Sequence, residues 1–205
     1  MITKVPIAYL IGSICHAKDR EHAFDASEKA VTDIGHIALN PVKEEPTKTG
    51  MSCTETEERL HTLWRTEQFD EYRKLMNNIW IKDLDNVRRA DYLVLHFEQT
   101  DHSVGAPLEM TMASLLYMLK LAKESCNEQE CAWAEVARSA LKNMGFTHKP
   151  IYWVCQGPIS EVNTTLKWMV LSGSDVRVFK TYKDLSEYLV KQYGKFPVKE
   201  DKKDA

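Results

Sequence analysis

Four short, uninterrupted apolar runs constrain this chain more than any other feature. They are VPIAYLIGSI (5–14), DYLVLHF (91–97), PIYWVC (150–155) and DVRVFK (175–180), with a weaker fifth, HIALN (36–40). Strands covered on both faces read as continuous apolar runs, whereas strands with one wet face alternate. Between the runs lie segments with helical spacing. Residues 20–34 place Ala23, Ala26, Ala30, Val31 and Ile34 on one side, and residues 57–78 do the same with Leu60, Leu63, Trp64, Phe69, Tyr72, Leu75 and Met76. Residues 107–123 are nearly all apolar, as in a helix buried on much of its surface. Further helices are expected over 131–144, 160–170 and 182–193. Strands alternating with helices predict the α/β class: a single domain of three layers, α/β/α, around a roughly five-stranded parallel sheet of Rossmann-like or flavodoxin-like type.

Size and charge narrow the function. The chain has 205 residues, 43% of them hydrophobic, which suits one domain with a full core. That domain is expected over residues 1–197, with 124–149 as a helical insertion in one crossover and 198–205 as a charged tail. Lys and Arg number 27 against 30 Asp and Glu, a net charge of −3 with no basic block. Such a chain is poorly suited to a nucleic acid polymer or an anionic membrane. Its five cysteines are scattered and form no C-x-x-C, so neither a disulfide framework nor a zinc ribbon is expected, and free thiols fit a reducing cytoplasm. The apolar N-terminus reads as a first strand rather than a signal peptide, and no stretch reaches transmembrane length. The seven histidines show no metal-ligand spacing, and no cofactor or metal is expected. The segment 43–58, with Pro46 and Gly50, reads as a long polar loop.

In an open parallel sheet, ligands bind at the carboxyl ends of the strands, beside the switch in strand order. The informative residues therefore follow the strands. Gly12 and Ser13 come after the first; a glycine there admits a ligand, but a strand-to-helix turn also needs a small residue. In SVGAPLEMTMASLLYM (103–118), Ser103 or Gly105 can cap a helix and Pro107 suits its first turn. Glu109 then falls in that turn. A carboxylate meets the helix dipole favourably there, but this one stands at the mouth of an apolar helix, where a pocket would form. In IKDLDNVRRADYLVL, Asp83 and Asp85 read as the start of a short helix and Asp91 as its close. Trp64 and Trp80 flank the polar loop, where either can line a pocket or the core. Cys15, beside His16 and a helix start, is a weaker nucleophile candidate.

Together, IAYLIGSI, KDLDNVRRADYLVLHF and SVGAPLEMTMA resemble the nucleoside 2-deoxyribosyltransferase superfamily, which includes the deoxynucleoside 5′-monophosphate N-glycosidases and the CMP N-glycosidases. The resemblance covers residues 6–14, 80–118 and 150–190 in matching order. It implies that Glu109 is the nucleophile at the anomeric carbon, that Asp83 assists the base and its proton transfers, and that Tyr9 orients the nucleophile. It places Gly12, Ser13, Ser103 and Gly105 around the substrate. Ser103 stands where the transferases carry an aspartate for the free 5′-hydroxyl and the monophosphate glycosidases a serine for the phosphate. Two positions depart from the pattern: Cys15 replaces a phosphate-binding arginine, and Pro107 replaces a glycine.

The implied chemistry is coherent. Breaking an N-glycosidic bond builds positive charge on the sugar, which a carboxylate beneath it can stabilise or bond. The departing base needs a proton, which a second carboxyl can supply. The expected activity is cleavage of a (deoxy)nucleoside 5′-monophosphate into free base and sugar phosphate. The alternatives are a deoxyribosyltransferase exchanging bases on free deoxynucleosides, and a non-enzymatic nucleotide-sensing module. The partners implied are a small nucleoside or nucleotide and further copies of the chain, as a homodimer or higher homo-oligomer.

Overall fold

The computed structural model describes residues 4–12, 22–96, 132–155 and 175–198. These form five strands, β1 (Ile7–Gly12), β2 (Ile37–Leu39), β3 (Tyr92–His96), β4 (Ile151–Val154) and β5 (Val176–Phe179). The described helices are α1 (Asp25–Thr32), α2 (Pro41–Thr49), α3 (Cys53–Arg65), α4 (Phe69–Arg89), α5 (Ala132–Asn143) and α6 (Tyr182–Tyr193). All four strand pairings are parallel, in the order β2-β1-β3-β4-β5. This is the flavodoxin-like order, and its switch point lies between β1 and β3.

Alternation along the strands sends two sets of side chains to opposite faces. Ala8, Leu10, Tyr92, Val94, Tyr152 and Val154 pack with Val31 and Ile34 around α1, and with Leu185 and Leu189 of α6. Tyr9, Ile11, Leu93, Leu95, Ile151 and Trp153 pack on the other face with Val87 and Ala90 at the end of α4. The three central strands are buried on both faces, which is why their sequences read as unbroken apolar runs.

The segment expected to be a polar loop, 43–58, is instead the body of α2 and the start of α3. The Asn40 side chain caps α2 by accepting from the Val42 amide at 3.0 Å, Pro41 fills the first turn, and Gly50 closes the helix with φ 77°. Pro46 lies inside this helix and cannot donate to the Val42 carbonyl. The Cys53 thiol approaches that carbonyl instead, at 3.9 Å. Ser52 and Glu55 then form a capping box that starts α3.

The next expectation is also corrected. A helix over 57–78 followed by a short one from Asp83 is really α3, a break at Glu67 (φ 57°), and the 21-residue α4. Asp83 and Asp85 therefore lie well inside a helix and cap nothing. Asp85 pairs with Arg88 at 2.6 Å on the outside of α4. Asp91 does not close the helix with its side chain; its carboxylate accepts from the Ile7 amide at 2.9 Å and ties β1 to β3.

Candidate functional site

Along α4, Tyr72, Leu75, Met76, Ile79, Trp80, Asp83, Leu84 and Val87 are half-buried or buried, at intervals of three and four. Asp83 is the one carboxylate on that inward stripe. Its neighbour across the gap is Tyr9 of β1, whose hydroxyl donates to Asp83 Oδ1 at 3.1 Å. From α2, the Lys48 ammonium donates to the same oxygen at 2.8 Å. Lys48 also reaches the Pro41 carbonyl at 3.4 Å and Glu45 Oε2 at 3.5 Å.

These ionisable groups are hidden from water. The side chain of Lys48 is 1% exposed, that of Glu45 7% and that of Asp83 14%. Buried charges persist only when paired and hydrogen-bonded. Burial alone would lower the Lys48 pKa, but the charge of Asp83, the hydrogen bond to it and the charges of Glu45 and Glu44 outweigh that and raise it. Burial raises the Glu45 pKa; Asp83 adds to the rise, while Lys48 and the Thr56 hydroxyl oppose it. Two carboxylates thus share one ammonium. Behind them, Asn86 donates to Glu44 at 2.5 Å and fastens α4 to α2.

Of the residues singled out in the sequence, Tyr9 and Asp83 are brought together. Gly12 ends β1 opposite His96, the last residue of β3. A Cβ there would lie 2.3 Å from the His96 carbonyl oxygen and 3.1 Å from the Phe24 ring. The close approach of two strands at the switch point therefore suffices to demand glycine. Ser13, Cys15, His16, Ser103, Gly105, Pro107 and Glu109 lie outside the described residues.

Other aromatic and histidine candidates have structural partners. Trp64 is 60% exposed and stacks edge-on against Phe69 and Tyr72. Trp80 lies on the half-buried stripe of α4, and Trp153 is wholly buried. His36 is held between the Tyr92 hydroxyl and the Gly194 carbonyl. His96 meets the Tyr182 hydroxyl, which in turn meets Ser27 at 2.9 Å. Among the described residues no group of three or more His, Cys, Asp or Glu could hold a metal ion. None of the described helices is long and apolar enough to cross a membrane. An open groove of about 340 Å³ runs along α4 beside Ile81, Leu84, Asp85 and Arg88, on residues that do not include the Tyr9–Lys48–Asp83 cluster.

The chain is similar to a solved 2-deoxyribosyltransferase. That protein comes from the psychrotolerant bacterium Bacillus psychrosaccharolyticus; the likeness covers 93% of this chain and 98% of that one, at 16% identity and a TM-score of 0.44. At that identity and score, the likeness bears on neither the substrate nor the catalytic residues. No family model and no curated protein matches the chain.

Sequence reasoning misses Lys48 and Glu45. Both sit in a run of polar residues that reads as solvated. The signal that could have found them is Asn40-Pro41 followed by Gly50, a helix start and a helix stop, with Val42, Glu45 and Lys48 repeating on one side.

Proposed function

We propose that the protein cleaves the N-glycosidic bond of a (deoxy)nucleoside 5′-monophosphate, with Glu109 as nucleophile and Asp83 as proton donor. The observation that carries the reading is the contact between Tyr9 and Asp83. The two come from separate segments, each resembling the same superfamily, and stand 74 residues apart in the chain, yet they meet at 3.1 Å. The chemistry balances with these groups. A Glu109 oxygen bonds to the anomeric carbon as the C–N bond breaks, and the electron pair leaves with the base. The proton of Asp83 passes to that base. Water then attacks the anomeric carbon, frees Glu109 and returns a proton to Asp83.

Cys15 favours a second reading. It stands where the monophosphate branch carries a phosphate-binding arginine, so base exchange on free deoxynucleosides remains the competitor. In that case a second base, rather than water, attacks the glycosyl intermediate.

Incubation with a panel of nucleotides and nucleosides, followed by chromatography of the released base, tests both. Base release from monophosphates that Glu109→Ala abolishes is the expected result. Exchange with an added free base, on nucleosides alone, would install the transferase reading. Release from neither class would leave a binding module.

A further inference from the structure

We infer that Lys48 is a positioning residue for Asp83: it fixes Oδ1 so that Oδ2 is the oxygen that meets the substrate. The inference rests on the reading of Asp83 as proton donor, and nothing in the resemblance to the superfamily points to Lys48, which lies in a segment without counterpart there.

The geometry separates the two oxygens of one carboxylate. Oδ1 accepts from the Tyr9 hydroxyl at 3.1 Å and from the Lys48 ammonium at 2.8 Å. Oδ2 has no hydrogen-bond partner among the described residues. Because Oδ1 already takes two donors, a proton carried by this carboxyl sits on Oδ2. Asp83 keeps 14% of its side chain exposed, and Lys48 only 1%. Of the two, Asp83 is the one a ligand can reach.

Lys48 cannot itself serve as the acid. An ammonium has three protons, and three acceptors surround this one: Asp83 at 2.8 Å, Pro41 at 3.4 Å and Glu45 at 3.5 Å. It therefore acts through Asp83, in two ways. It holds the carboxyl in one rotamer against Tyr9. It also stands beside the negative charge that Asp83 gains when its O–H bond breaks and the proton moves to the departing base, a charge that develops in a poorly hydrated place where a fixed cation counts for most. Glu45 shares the ammonium from the preceding turn of α2, so the holder is itself held. The α2 helix that carries both is anchored by its Asn40 cap and by the Thr49–Thr56 hydroxyl contact at 3.0 Å.

The test compares Lys48→Met, which keeps the length and removes the charge, with Lys48→Arg. Base release from deoxynucleoside monophosphates should show kcat reduced about tenfold to a hundredfold in Lys48→Met, with KM changed by less than about threefold. Lys48→Arg should recover most of the loss, because it restores a cation that can donate to Oδ1. In a crystal structure of Lys48→Met, the Asp83 carboxyl should have left the Tyr9 hydroxyl. A folded Lys48→Met with unchanged kcat, or with Asp83 still seated on Tyr9, overturns the proposal. Should Lys48→Met fail to fold, the double variant Lys48→Met/Glu45→Gln removes the facing charge and is read in the same two ways. If the unaltered protein releases no base from any nucleotide or nucleoside, the function has failed, and the crystallographic comparison still decides whether Lys48 places Asp83.

Discussion

The Tyr9 hydroxyl and the Lys48 ammonium converge on one oxygen of Asp83, from β1 and α2 respectively. That convergence dictates how an amide would sit in the same place. In Asp83→Asn, the new side chain would turn its carbonyl oxygen to the two donors and its NH2 group to the position of Oδ2. The shape survives and the transferable proton is gone. Asp83→Asn should therefore lower kcat for base release about a hundredfold or more, while KM stays within a few-fold. A raised KM with kcat intact would make Asp83 a binding residue.

Ser103→Asp separates the two substrate readings. A serine hydroxyl donates to a phosphate, and an aspartate repels it. The ratio of kcat/KM for a nucleotide to that for its nucleoside should fall at least about tenfold in the variant. An unchanged ratio would mean that Ser103 does not read the phosphate and would favour the transferase.

Gly12→Ala tests how much of that glycine is packing. The new methyl group would meet the His96 carbonyl, a backbone atom that cannot rotate away. The expected loss is about 1–3 kcal/mol of stability in urea denaturation. The loss should appear without ligand, because β1 and β3 pair at this point whether or not a substrate is bound.

His36 gives the molecule a defined response to acid. Its ring lies between a tyrosine hydroxyl at 2.8 Å and the Gly194 carbonyl at 3.0 Å, and burial lowers its pKa below 6.5 despite the opposing effects of Gly194 and Asp91. The neutral ring is the folded form, donating from Nε2 to Gly194 and accepting at Nδ1 from Tyr92. Well above pH 6.5 both folded and unfolded chains hold it neutral, and its contribution is complete. As the pH falls, the unfolded chain takes up the proton first, so stability is lost until the lowered folded pKa is passed. His36→Gln keeps hydrogen-bonding capacity but does not titrate. Urea unfolding from about pH 7.5 to about 5 should therefore show a shallower decline in the variant than in the unaltered protein.

The strands β1, β3 and β4 and the helix α6 stand where the apolar runs and spacing put them, since each signal there reports burial directly; β5 and α5 also stand where expected, although β5 is only half-buried. The region from 43 to 89 is harder to read because its decisive contacts are remote in sequence. Pro46 and Gly50 look like loop markers, yet Gly50 closes a helix and Pro46 is accommodated because Cys53 takes up the abandoned Val42 carbonyl. Lys48 and Glu45 look solvated because the carboxylate that admits Lys48 to the interior lies 35 residues further on. Asp83 is found through resemblance, but its place on the apolar stripe of α4 is also legible from spacing once Asn77 and Asn78 are not taken for a break. The break falls earlier, at Glu67.

The His36 clasp joins residues 158 positions apart. Phe196 reinforces it by donating its amide to Ile34 at 3.0 Å and lying over Gly35. A chain emerging from the ribosome can therefore lay β2 beside β1 early, but the first loop stays unlatched until residue 196 has cleared the exit. Until then, the imidazole has no carbonyl to receive its proton. Nascent chains arrested short of residue 194 should be cut by protease near residues 33–36, and chains held on the ribosome by an added C-terminal linker long enough to free residue 196 should resist. The loop between α1 and β2 is in this sense held by a segment remote in sequence from both.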